Sequence, residues 1–209
     1  MMFGKQVLMP YLLNRRVSKI DYVIISHFDF DHIGGLLYVM NKMKVKNVII
    51  SKQPEESVNY KNFIKIIKDK KINLIIVNAG DRLKISNDVY FDIFWPNSDE
   101  FISENALNNN SIVCKLNYKT FSMLFTGDIE EIAEKRILEK YKNNLDLLKA
   151  DILKIAHHGS KSSTTQEFLN AVKPQKALIG VGKNNKFGHP SNIVIERLEN
   201  LRNPNLSYR

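Results

Sequence analysis

Each of the five histidines falls just past a short apolar run: His27 and His32 after residues 22–26, His157 and His158 after 151–156, and His189 after 177–181. Histidines scattered through a core would not sort this way. The runs therefore read as strands whose ends deliver imidazoles into loops, and the fold must be one in which strand ends carry the polar chemistry.

The hydrophobic pattern supplies the rest of the frame. After the run 22–26 come Gly34 and Gly35, and then Leu36, Leu37, Met40 and Met43 at helical spacing, which reads as strand, loop, helix. Residues 48–51 and 74–77 look like strands flanking a Lys-rich amphipathic stretch, with Phe63, Ile64, Ile66 and Ile67 on its buried side. From 80 to 125 the character changes to short β-segments, 82–85, 89–95, 111–118 and 121–125, expected to pair antiparallel. Helices are expected at 130–141, 165–172 and 192–201, with strands at 151–156 and 177–181 between them. Thr164 with Glu167 reads as a capping box, and Pro190-Ser191 as a helix start. Two sheets packed together with helices outside, an α/β (α+β) sandwich, suit this order better than a doubly wound sheet.

At 209 residues, 44% hydrophobic and 25% charged, the chain is expected to be one domain over 1–209. Its formal charge of +9 suits a polyanionic partner, although a general abundance of Lys on a solvated face explains it as well. Cys114, the single cysteine, cannot form an internal disulfide and sits on the apolar phase of 111–118, so it reads as a core thiol. No apolar run is long enough to cross a membrane, and no cationic start leads into a signal-like segment. A membrane-bound parent stays compatible with that pattern.

The densest chemistry lies in Ser26-His27-Phe28-Asp29-Phe30-Asp31-His32-Ile33-Gly34-Gly35, where His27, Asp29, Asp31 and His32 put four metal-competent side chains on one strand end. Alternation would point positions 27, 29 and 31 to one side, with His32 breaking the pattern and the glycines letting the backbone turn into the next helix. The alternative is a polar loop whose aspartates cap a helix. Thr126-Gly127-Asp128 follows an apolar strand; alone it is more often a turn and cap, but a binuclear site needs a bridging carboxylate such as Asp128. His157-His158-Gly159-Ser160 ends a strand with two imidazoles that are costly to bury without partners, and adjacent strand residues face opposite ways. One ligand and one supporting or substrate-contacting histidine are expected. His189, in Gly188-His189-Pro190, reads as a ligand, an acid near the leaving group, or part of a helix-start loop.

In this order, His27-x-Asp29-x-Asp31-His32-x-Gly34-Gly35, Asn110-Ser111, Thr126-Gly127-Asp128, His157-His158-Gly159-Ser160 and Asn185-x-x-Gly188-His189-Pro190 resemble the metallo-β-lactamase domain of ComEC-type DNA-uptake proteins. The segment 4–13 is similar to the one that precedes the metal motif in that family. Asp29, where the wider superfamily has a second histidine, is the substitution of the ComEC-like branch and argues against a β-lactam hydrolase. Asn108, Asn109, Asn110 and Ser111 stand where many superfamily members place another histidine. The resemblance implies a metallo-β-lactamase-like αββα sandwich, with the opening hairpin and closing strands shortened or missing here.

It further implies two divalent ions, Zn or Mn, held by His27, Asp29, Asp31, His32, Asp128 and His158, and a metal-activated water that cleaves phosphodiesters, with DNA as the expected partner. Asp31, His157 and His189 are the expected catalytic residues; Asn110, Ser160 and His189 are expected near substrate. Three carboxylates against two divalent ions would leave a net charge of about +1, attractive to an anionic diester. A small-phosphodiester hydrolase similar to phosphorylcholine esterase, or a non-catalytic nucleic-acid-binding accessory domain, are the alternatives. As part of a larger uptake protein, the chain would work with a membrane channel, in the bacterial cytoplasm or at the membrane.

Overall fold

The structure is a computed structural model that describes residues 2–52, 57–182 and 184–201, and the backbone of 207–208. The chain forms two compact units, Met1–Val77 and Asn78–Arg209.

In the first unit a π-helical turn, Gly4–Leu8, runs into α1 (Met9–Asn14). Then β1 (Lys19–Ile24), α2 (Phe30–Lys42), β2 (Lys44–Ile50), α3 (Val58–Lys70) and β3 (Asn73–Ile76) follow. The strands pair in the order β1-β2-β3, all parallel, with Val23 opposite Val48 and Ile49 opposite Ile75. Val48, Ile49 and Ile50 are buried on successive positions of β2, because a central parallel strand is covered on both faces. Ser57 caps α3 by accepting from the Tyr60 N–H at 3.0 Å, and Phe63, Ile66 and Ile67 form its buried side.

Helix α2 differs from expectation. It starts at Phe30, not beyond the glycines, so Asp31 and His32 belong to its first turn, and the strand-like alternation of 27, 29 and 31 does not extend to Asp31. Gly35 serves another purpose than a turn: a Cβ on Gly4 would lie 2.2 Å from the Gly35 carbonyl oxygen. Two helical backbones touch there, and only glycine permits it.

The second unit holds β4 (Arg82–Lys84), β5 (Val89–Trp95), α4 (Ala106–Asn109), β6 (Val113–Tyr118), β7 (Phe121–Phe125), α5 (Glu131–Lys140), β8 (Ile152–Lys154), α6 (Gln166–Val172), β9 (Lys176–Leu178), α7 (Asn192–Glu199) and β10 (Ser207–Tyr208). Its sheet runs β10-β9-β8-β7-β6-β5-β4. As expected, β4 to β7 are antiparallel; β7 to β10 are parallel. Trp95, Leu124, Ile137, Leu153, Phe168 and Leu198 anchor its core, and the indole N–H of Trp95 donates to the Asn109 carbonyl at 2.7 Å. Cys114, next to Val113 on β6, is a buried core thiol, and burial pushes its pKa up to about 12.

Two local expectations shift. The cap of α6 is Thr165, which accepts from the Phe168 N–H, not Thr164. The buried Glu134 carboxylate takes the N–H groups of both Thr164 and Thr165, and Thr164 sits at φ 57°, outside any capping box. Strand β8 also stops at Lys154, and Ala156–Gly159 coils into a tight turn.

Candidate functional site

In the first unit, β1 remains in register through Ile25, whose N–H donates to the Ile49 carbonyl, and thereby places Ser26 and His27 at the strand end. Phe28 packs between Tyr60 and Phe63 and its carbonyl accepts from the Asn59 side chain, which pins the loop. The Asp29 carbonyl then receives the N–H groups of His32 and Ile33 and opens α2. This path gathers all four expected donors. His27, fully buried, has its Nε2 3.7 Å from Asp29 Oδ2; His32 Nε2 lies 3.6 Å from Asp31 Oδ2. The two imidazoles lie with centroids 4.1 Å apart.

In the second unit, Asp128 follows β7, and its N–H donates to the Ser111 hydroxyl at 3.2 Å. The turn Ala156–Gly159 carries His157 at φ 46° and His158 at φ 55°, two consecutive residues in the left-handed region. Such strain persists only where surrounding structure enforces it, and it collects at functional sites. It also replaces the expected strand alternation as the reason why the two rings diverge. His158 Nδ1 lies 2.6 Å from the Gly180 carbonyl oxygen. A carbonyl can only accept, so Nδ1 carries a proton; in the neutral ring the lone pair is then on Nε2, which lies 3.3 Å from Asp128 Oδ2.

His157 turns to a residue that the sequence reading missed. Its Nδ1 is 3.3 Å from Glu130 Oε1, an imidazole–carboxylate approach without hydrogen-bond alignment. Glu130 is itself fixed: Oε2 accepts from Asn105 Nδ2 at 2.7 Å, and Oε1 from the Ser162 hydroxyl at 2.9 Å. The signal was an acidic residue two positions after Asp128, indistinguishable in sequence from a helix cap. Ser160 lies against Ser162, hydroxyl to hydroxyl at 3.0 Å.

The His189 ring faces that of His157 at 5.9 Å between centroids. Asn185 shapes its loop by accepting from the His189 N–H and donating to the His189 carbonyl. Burial, helped by neighbouring His157 and His158 and opposed by Asp128, holds the His189 pKa below the ordinary imidazole value. Asn110 is buried in a separate loop, where its amide donates to the Ile102 and Ala106 carbonyls and accepts from the Ile102 N–H.

The donor chemistry fits divalent cations. Two ligands about 2.1 Å from one tetrahedral ion are about 3.4 Å apart, and the three imidazole–carboxylate pairs are 3.3, 3.6 and 3.7 Å apart. In the first unit Asp31 with His32, and in the second Asp128 with His158, are each an imidazole–carboxylate pair of the kind that ligates a divalent ion.

Comparison with known proteins agrees with this chemistry. The family described as "Metallo-beta-lactamase superfamily" matches residues 2–183. ComE operon protein 3 of Bacillus subtilis (strain 168) is 32% identical over 196 residues, 94% of this chain and 24% of that protein. Competence protein ComA of Neisseria gonorrhoeae is 28% identical over 192 residues, 91% of this chain and 24% of that protein. The chain thus spans about a quarter of the length of these curated relatives. Among solved structures, CmlA, a diiron β-hydroxylase from Streptomyces venezuelae, superposes with a TM-score of 0.58 at 12% identity, over 91% of this chain and 43% of that one. At that identity the likeness speaks for the fold alone.

Proposed function

This chain belongs to the metallo-β-lactamase superfamily, and from that premise we propose that it is a metal-dependent hydrolase of phosphodiester bonds whose substrate is DNA. Its α/β fold is the metallo-β-lactamase-like one expected from the motifs, and it is homologous to competence proteins over most of its length. The observation that carries the reading is the pairing of imidazole Nε2 atoms with carboxylate oxygens at ligand-to-ligand spacing.

In this reading His27, Asp29, Asp31, His32, Asp128 and His158 are the ligands of two divalent ions, Zn or Mn. Bound ions would supply a water acidic enough to ionise near neutral pH and positive charge against the developing phosphorane. Asp31, on the first turn of α2 with an exposed side chain, would hold an ion and is the carboxylate assigned to proton acceptance. His157, whose ring is held by the anchored Glu130 carboxylate at Nδ1, is the candidate proton donor to the leaving oxygen. His189 stays neutral more readily than an exposed histidine, which suits a hydrogen-bond role toward substrate. The Ser160 hydroxyl is offered to a phosphate oxygen. DNA as substrate, degradation of the non-transported strand as the task and a membrane channel as parent or partner are carried over from the ComEC-type resemblance, with which a relative named as a competence protein agrees.

The test is metal content followed by cleavage. About two Mn²⁺ or Zn²⁺ per purified chain, with chelator-sensitive cleavage of labelled DNA, is the expected result. Faster turnover of a small diester such as bis(p-nitrophenyl) phosphate would transfer the assignment to small phosphodiesters. DNA binding without bound metal would reduce the chain to an accessory binder.

A further inference from the structure

We propose that Ser26 is a positioning residue whose single hydroxyl sets the tautomer of two histidine ligands at once. The inference rests on the metal-site reading above. Ser26 Oγ lies 3.1 Å from His27 Nδ1 and 3.4 Å from His32 Nδ1. Both rings therefore turn the same nitrogen toward one oxygen, and their opposite nitrogens fan out, His27 Nε2 toward Asp29 and His32 Nε2 toward Asp31.

The proton inventory makes the arrangement specific. A neutral imidazole that offers Nε2 to a cation must carry its hydrogen on Nδ1, and a hydroxyl oxygen has two lone pairs. Ser26 Oγ can accept from both Nδ1–H groups, while its own hydrogen points elsewhere. No other neutral assignment presents two Nε2 lone pairs together: were Oγ–H to donate to either Nδ1, that ring would hold its proton on Nε2 and oppose an incoming cation.

The oxygen is also held in place. Ile25, immediately before it, is fastened to β2 through the Ile49 carbonyl. On the other side, Asn59 ties the Phe28 carbonyl and the Asp29 carbonyl is locked into the start of α2. Ser26 is thus fixed by the sheet and His32 by the helix, and the hydroxyl sets the angle between their rings. Groups that orient ligand histidines in this way are worth about 10–100-fold in metal affinity.

The experiment uses the whole chain, with Ser26→Ala and Ser26→Thr beside the wild type. Long-range ¹⁵N–¹H correlation of the imidazoles, at about pH 8 and without metal, reads the tautomers; titration calorimetry with Mn²⁺ and with Zn²⁺ reads affinity. The wild type should show Nδ1–H on both His27 and His32. In Ser26→Ala both should revert toward the Nε2–H form that free imidazole side chains prefer, with metal affinity lowered about 10–100-fold and the unfolding midpoint of the metal-free protein retained. Ser26→Thr, which keeps the oxygen on Cβ, should restore both readouts. Nε2–H on either ring of the wild type, or tautomers and affinity unchanged in Ser26→Ala, would overturn the proposal, and the first of these needs no variant to fold. If the wild type binds neither metal, the hydrolase reading fails while the tautomer spectrum still decides the role of Ser26.

Discussion

At the scale of single residues, the paired groups separate metal binding from proton transfer. Asp31 and Asp128 each face a histidine Nε2 at ligand spacing, so Asp31→Ala and Asp128→Ala should each lower both metal affinity and cleavage by at least about 10–100-fold, since a lost ligand costs no less than a lost supporting partner. Metal analysis and DNA cleavage of both variants check this, and undiminished turnover in either removes that residue from the site. Glu130 and His157 should behave differently. His157→Ala and Glu130→Gln are expected to lower kcat by about 10²–10⁴ for His157, in the range of a general acid, and by less for Glu130, with metal content unchanged. Their effect should shrink on a substrate whose leaving group is a nitrophenolate, which needs no protonation. An equal loss on both substrates would mean that the pair holds the turn at His157 and His158 rather than moving a proton.

At the scale of elements, the glycines in the helical segments give a stability prediction. Gly4 and Gly35 touch backbone to backbone, and Gly4→Ala should destabilise the protein by about 1–3 kcal/mol, the usual cost of forcing a methyl into a closed contact. Gly80, around which a Cβ would meet nothing within 4 Å, is the control for size, with only its positive φ resisting alanine; denaturant midpoints for both variants make the comparison. The same helix shows where sequence pattern stops being informative. Periodicity placed β1, the helices flanking β2 and the antiparallel block, because apolar spacing follows directly from burial. It starts α2 too late, because Gly34-Gly35 spells a turn in isolation, and the contact of Gly35 with Gly4 depends on a residue far away in the sequence. Thr164 was misread as a cap for a similar reason: the Glu134 carboxylate, buried in another helix, captures the N–H groups of Thr164 and Thr165. The candidate donors were legible as residue types in loops after strands. The left-handed backbone at His157 and His158, the role of Glu130 and the bridging hydroxyl of Ser26 depend on partners that no local spacing encodes.

At the scale of the whole molecule, the formal charge of +9 has two readings that salt can separate. If the basic surface binds a DNA backbone, phosphate contacts release condensed counterions and the logarithm of affinity falls linearly with that of salt; about four such contacts would cost roughly 100-fold between 50 and 200 mM. If the lysines only keep the surface solvated, affinity for DNA will be weak and nearly flat over that range. Bound metal should act on a separate axis. Ions that bind the folded chain and not the unfolded one stabilise it by about 2.7 kcal/mol at a hundredfold excess over Kd, which for a chain of this size raises Tm by about 5–10 °C. Excess chelator should reverse the rise, and Asp31→Ala and Asp128→Ala should each abolish most of it, whereas Glu130→Gln should leave it intact. Salt should leave that rise largely in place, because ligand bonds to a bound ion are screened far less than contacts with a phosphate backbone. A metal-induced rise that survives both aspartate variants would place the ions elsewhere on the chain, and the proposed ligand set would be wrong even if the DNA binding were real.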